Sequence, residues 1–393
     1  MDEILLYRRP AGRWGARNHV LVMPLVASAS GLARALARGT DATWVEHDYE
    51  PAPDDLPQNR ERIDRTFAGF ATNPNVAAVL WVADAPGRAP LLAASQRAGQ
   101  RADLVVVTEA GGIRGALEQG RDRLRALGAH AAGLHRERAP VGALMLGTEC
   151  GGSDALSGIT ANPALGEASD LLVDAGGTAV LAETTELIGA EHLLARRGVS
   201  KAVADDVYRI IYRYEAVVRA HGEDIRGANP APGNIEGGLT TIEEKSLGAA
   251  KKGGTRPIRQ VVEYAVRPTE RGLVIMDTPG NDIEQMVGMT AAGCQIAVFT
   301  TGRGTPTGSP IIPVLKVATN SHTATRMRDN IDLNAGLILE GAETLQSMGR
   351  RIYEAMLAAA QGAPTKAERL GHREFSVSRY PFAALDPAAA PLG

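Results

Sequence analysis

"VGALMLGTECGGSDALSGITANPALG", residues 141–166, decides the fold. Its first seven residues are an apolar run of strand type. Five glycines then fall between residues 147 and 166, interleaved with Glu149, Cys150, Ser153 and Asp154. Such a run is expected neither to bury itself nor to form a regular element. A helix is expected around residues 164–176. Strand, glycine loop and helix form the unit of an α/β sheet, where ligands gather at the carboxyl ends of the strands.

The same order recurs on both sides. Upstream, "HVLVMPLVA" (19–27), "NVAAVLWVAD" (75–84) and "ADLVVVTEAGG" (102–112) read as strands, alternating with the helical "SGLARALARG", "RERIDRTFAGFAT" and "IRGALEQGRDRLRALGAH". Downstream, "GTAVLAE" (177–183), "GLVIMDTPG" (272–280) and "GCQIAVFTTGRG" (293–304) read as strands. Helices are expected around 186–197 and over "KAVADDVYRIIYRYEAVVRAHG". "LHRERAP" (134–140), charged and ending in proline, reads as a linker. The expectation is an α/β protein of two domains, 1–135 and 136–393. Each is a mainly parallel sheet flanked by helices, with glycine-rich loops at strand C-termini. The alanine-rich end "FAALDPAAAPLG" reads as a loosely held terminus.

Composition narrows the function. In 393 residues, 44% are hydrophobic and 22% charged, enough for real cores. A net charge of -3 offers no basic excess for nucleic acid. Two cysteines, Cys150 and Cys294, cannot make a disulfide framework. The N-terminus is charged, without a signal-like apolar segment, and no apolar run reaches membrane-helix length, so the chain reads as soluble and cytoplasmic. Forty-four glycines against 4% aromatics point to close backbone approaches, as in sites that hold small anions with backbone amides.

Three glycine-rich turns follow strands directly: Gly147–Asp154, Asp277–Asp282 and Gly302–Ser309. They are expected to meet. "TTGRGTPTGSP" (300–310) combines Arg303 with the hydroxyls of Thr301, Thr305 and Ser309, and Lys316 follows in "PVLKVATN". This is the composition of an anion nest, with Arg303 offering bidentate recognition of a carboxylate or sulfonate. A surface turn with a solvated arginine is the alternative. In "NPAPGNIEGGLTTIEEKSLGAAKKGG" (229–254), Asn234 and Glu236 stand among glycines as candidate contacts, whereas Glu243 and Glu244 read as a solvated face. Glu149, Cys150 and Asp154 can offer oxygen and sulfur to a divalent metal. A lone cysteine serves equally as a small core hydrophobe. His19, His47 and His192 lie nearest the motif loops. "DTPGND" imitates a GTPase switch, but GxxxxGK[ST] is absent, and no GxSxG elbow marks a hydrolase.

"CGGSDALSGITANPALG", "AETTELIGAEHLLARR", "MDTPGND" and "FTTGRGTPTGSPIIPVLKVATN", together with the 229–254 loop, "GRWGARNHVLVMP" and "NPNVAAVLWV", resemble the signatures of the altronate and galactarate dehydratase family. That family includes the large subunit of (2R)-sulfolactate sulfo-lyase. The resemblance covers nearly all of 1–380 and implies a lyase. The proton beside a carboxylate is removed, the group on the next carbon leaves, and the enol relaxes to a 2-keto acid. It implies a divalent metal as cofactor, iron(II) first, with manganese(II) or magnesium(II) as alternatives. It also implies a small anionic substrate, a separate small subunit and a homo-oligomeric assembly.

In this setting Glu149, Cys150, Asp154 and Arg303 are the expected catalytic residues. Ser153, Asn162, Asn234, Glu236, Thr301, Thr305, Ser309 and Lys316 are the expected substrate contacts. Cys150, His47 and Asp277 are the expected metal ligands, with Asp282 in support. Sugar-acid dehydratases of the family carry cysteines in first-half loops. The corresponding "EHDYEPAPDD" and "VADAPGR" keep His47 but no cysteine. That departure favours the sulfo-lyase, with sugar-acid dehydration next and an inactive sugar-acid-binding paralogue behind.

Overall fold

Val76–Ala83 is buried at every position, the pattern of a strand covered on both faces. In the computed structural model, which describes residues 3–52, 56–87, 89–220 and 222–379, it is central to a four-stranded parallel sheet. The order is Thr43–Trp44, His19–Pro24, Val76–Ala83, Arg101–Val106. Helices Ser30–Ala37 and Ile113–Ala132 close one face through Leu32, Leu36, Leu124 and Leu127. The alanine-rich end lies outside the described residues.

The second sheet is larger. Seven parallel strands run in the order Ile258–Val262, Gly272–Met276, Thr178–Leu181, Met145–Cys150, Ile296–Thr301, Val314–Ala318 and Leu333–Asn334. Helices Ala161–Asp174 and Leu345–Ala360 bury Leu165, Leu172, Met348 and Ile352 on one face. Helix Asp282–Ala292 lies on the other and packs on helix Pro57–Ala71 from the first half. Met286 and Met289 thereby share one apolar core with Phe67, Phe70 and Trp81.

Arg136–Pro140 is a strand and not the expected linker. It pairs antiparallel with Glu3–Arg8, which pairs in turn with Trp14–Gly15. Glu137 and Arg138 face outward while Ala139 is buried, so charge marks an exposed edge and not a break. The helix expected around 186–197 shrinks to Glu191–Ala195, because Thr184–Glu186 form a tight turn and Leu187, Ile188 and Ala190 are buried behind it. The strand Val314–Ala318 escapes sequence reading because Lys316 interrupts its apolar run. Among the described residues no helix is long and apolar enough to cross a membrane.

Candidate active site

Five neighbouring strands of the large sheet end side by side. Their loops begin at Asp277, Ala182, Gly151, Gly302 and Thr319, so the three turns picked out in the sequence do converge. Two glycines form the floor. A Cβ on Gly151 would lie 2.2 Å from the Asp282 carboxylate and 2.8 Å from the Phe299 ring. One on Gly152 would lie 3.6 Å from the Arg303 Cβ. Only glycine lets Asp282 approach this closely.

Around this floor the charges are buried. Lys252, fully enclosed, forms an ion pair with Glu183 and donates to the Cys150 sulfur at 2.9 Å. Glu183 is held at φ 70°, a left-handed conformation costly for a non-glycine residue. Its N–H donates to the Thr278 hydroxyl at 2.7 Å. Lys245 pairs with Glu186 at 2.7 Å and donates to the side chains of Asn229 and Asn234 at 2.8 and 3.0 Å, saturating its ammonium.

Contrary to the expectation for the run 147–166, Glu149 and Cys150 belong to the buried strand Met145–Cys150, because neighbouring strands cover them on both sides, and Glu149 is fully enclosed. Its Oε1 accepts from Gln285 at 2.6 Å, and its Oε2 has no partner. Burial first, then the Asp282 carboxylate, push its pKa well above the usual carboxylate range. Burial raises Asp282 to about 6, reinforced by Glu186 and opposed by Lys252 and Lys245. Glu186 is also raised, mainly by burial. Two carboxyls with different environments, one with its neutral form favoured by burial and one ionising near pH 6, can divide acid and base roles between them.

The expected contacts fall into two groups. Asp154 is a brace. It accepts from Ser157 of its own loop at 2.9 Å, and from Thr319 at 2.8 Å and Asn320 at 3.2 Å, tying two loops together. Asn162 bridges Thr300 and the Gly248 carbonyl. Asn234 donates to the Ser153 carbonyl at 3.0 Å. Thr301 accepts from the Gly304 amide, the Thr305 and Thr307 hydroxyls bond each other, and Ser309 accepts from Ile311. Lys316 is buried, and its ammonium donates to the carbonyls of Pro306 and Thr307, holding the nest loop from behind.

Arg303 behaves differently. It is exposed, its guanidinium lies over Gly233 (a Cβ there would meet it at 2.3 Å), and among the described residues it has no ion-pair partner. Glu236 is exposed on the short helix Pro232–Glu236.

The expected metal set does not assemble. Among the described residues no three His, Cys, Asp or Glu side chains are grouped to hold an ion. Cys150 faces Lys252, and Asp277 is taken by Arg213 and by the Thr184 hydroxyl. His47 lies at 5.1 Å from the Phe67 ring, with Nε2 against the Pro24 carbonyl and Nδ1 accepting from Tyr49. Cys150, Asp277 and His47, each engaged elsewhere, do not form a shell that fits the metal.

Glu183, Glu186, Lys245, Lys252 and Gln285 were not singled out in the sequence. One signal was available: Glu183 stands at the end of the apolar run "GTAVLAE", within two residues of its strand, much as Asp277 stands after "GLVIM". The lysines gave none, because "KSLGAAKKGG" reads as a solvated turn.

Two family models match the chain. "D-galactarate/Altronate dehydratase, C-terminal" covers residues 141–381 and "D-galactarate dehydratase/Altronate hydrolase, second domain" covers 6–132. The (2R)-sulfolactate sulfo-lyase subunit beta of Chromohalobacter salexigens is 37% identical, over 95% of this chain and 96% of its own length. The altronate dehydratase of Bacillus subtilis is 33% identical over 94% of this chain and 76% of its own. The galactarate dehydratase (L-threo-forming) of Escherichia coli is 43% identical over 58% of this chain and 43% of its own. Buried acid–base clusters at strand ends and matches across both halves lead to one conclusion: the chain is a lyase belonging to the D-galactarate/altronate dehydratase family.

Proposed function

We propose that the chain catalyses β-elimination from (2R)-3-sulfolactate, giving pyruvate and sulfite. The observation that carries this reading is the Gly151–Gly152 floor, with the Asp282 carboxylate against one glycine and the unpaired Arg303 beside the other. Arg303 binds the substrate's carboxylate or sulfonate as a charge-assisted pair. Asp282, ionised above about pH 6, takes the C2 proton. The C2–H electrons form the C2–C3 double bond, the C3–S bond breaks, and sulfite leaves with its electron pair. The enol gains a proton at C3, loses its C2 hydroxyl proton to solvent and becomes pyruvate. Lys252 and Lys245, fixed by Glu183 and Glu186, favour negative charge on the cluster.

Sugar-acid dehydration is the second reading, favoured by Glu149. A carboxyl whose neutral form is favoured by burial can supply the proton that departing hydroxide needs and sulfite does not. The relative from C. salexigens is named as a subunit beta, which supports a second, smaller subunit here.

The test mixes the purified chain and its partner subunit, with and without iron(II), separately with sulfolactate and with altronate or galactarate. Sulfite and 2-keto acid are measured. Sulfite with pyruvate is the expected result. A keto acid without sulfite moves the assignment to the dehydratase, and neither product overturns both readings.

A further inference from the structure

Arg9 carries a charge that the fold encloses without a counter-ion. The residue is 5% exposed. Nε donates to the Pro74 carbonyl at 2.8 Å, and Nη2 to the Arg17 carbonyl and the Asn18 side chain, each at 2.9 Å. The guanidinium lies 5.4 Å from the Tyr7 ring centroid. Nη1 has no hydrogen-bond partner. No described carboxylate pairs with it, and burial pulls its pKa down to about 10. Polar atoms left in this state are rare in folded proteins, and the enclosed charge lends the surroundings a positive potential.

The same residue lines a cavity of about 480 Å³ with Arg8, Arg101, His130, Gln96 and Gln100. Among the described residues no carboxylate lines it. The cavity opens at the amino ends of strands Val76–Ala83 and Arg101–Val106 and shares no residue with the cluster around Gly151. Its volume falls within the roughly 300–1,000 Å³ of small-molecule sites, more than a bare oxyanion fills.

We infer that this cavity binds a small phosphomonoester, its phosphate held by the exposed Arg8 and Arg101 above the enclosed charge of Arg9, and its organic part in the remaining volume. Guanidinium groups suit the ligand because they meet phosphate oxygens in pairs. Free phosphate shares that chemistry, so the experiment separates the two.

The full chain is titrated calorimetrically at constant ionic strength with glycerol 3-phosphate, inorganic phosphate and glycerol. The ester is expected to bind more tightly than phosphate, and glycerol not at all. In the Arg8→Ala/Arg101→Ala protein, altered only at exposed positions, ester binding is expected to weaken by at least about tenfold, with elimination activity unchanged. Arg9→Gln, read by the ester-induced rise in melting temperature, is expected to lose that rise. Equal affinity for ester and phosphate would overturn the ester assignment. No binding of either anion, or undiminished binding by the double variant, would overturn the site.

Discussion

The two parallel sheets are built alike, but the carboxyl ends of their strands are filled with different matter. Beside the four-stranded sheet, His47 and Tyr49 stack against Phe67 with centroids 5.1 and 6.1 Å apart, and His47 meets Phe375 at 6.0 Å. Beside the seven-stranded sheet, Glu149, Glu183, Glu186, Lys245 and Lys252 are all buried. Apolar rings explain themselves by the water they leave. Buried charge does not, since each ion loses hydration that its partner only partly replaces. Chemistry is therefore assigned to the second sheet, and packing to the first.

The comparison breaks most easily at Lys252. Lys252→Met leaves Glu183 charged, enclosed and unpaired. It is expected to lower stability by about 3–5 kcal/mol in denaturant melts and to abolish turnover. Adding Glu183→Gln is expected to restore much of the stability and none of the activity, which separates folding from chemistry.

Asp282→Asn comes next, with a loss of about a thousandfold in kcat if this carboxylate is the base. Stability should move the other way. Because the folded protein holds Asp282 at about 6, above its ordinary value, its favourable contribution is present at low pH and is lost as pH rises through 6. The variant is therefore expected to be more stable than the parent by roughly 2 kcal/mol at pH 8, and equal to it near pH 3.

Arg303→Ala removes an exposed, unpaired cation. It is expected to leave the melting temperature unchanged and to raise KM by about a hundredfold, with Arg303→Lys recovering part of the loss. His47→Gln sharpens the contrast from the other side. On the packing assignment, kcat/KM changes by less than about threefold. A larger effect in steady-state kinetics would return His47 to the site.

Much of the framework was legible in residue pattern alone. "NVAAVLWVAD" and "GLVIMDTPG" are apolar runs ended by polar turns, and such runs become buried parallel strands whatever surrounds them. The strand Arg136–Pro140 was not legible, since it borrows its partner from residues 3–8, far away in the chain. The site divides in the same way. Gly151, Asp282 and Arg303 could be found because the turn that exposes each is written in adjacent residues. Lys252 could not, because it is buried by contacts with Glu183 and Cys150, 69 and 102 positions away. Asp154 and Lys316 were legible as polar residues of the right loops. Their roles as braces depend on partners from other loops, Thr319 for one and Thr307 for the other.

The most direct test is the pH dependence of sulfite release from sulfolactate, measured as kcat/KM between pH 4.5 and 8.5 for the parent and for Asp282→Asn. The parent is expected to rise with an apparent pKa near 6 and then level off, and the variant to lie about a thousandfold lower without that rise. A variant that keeps the parent's rate and profile would contradict the assignment of Asp282 as the base.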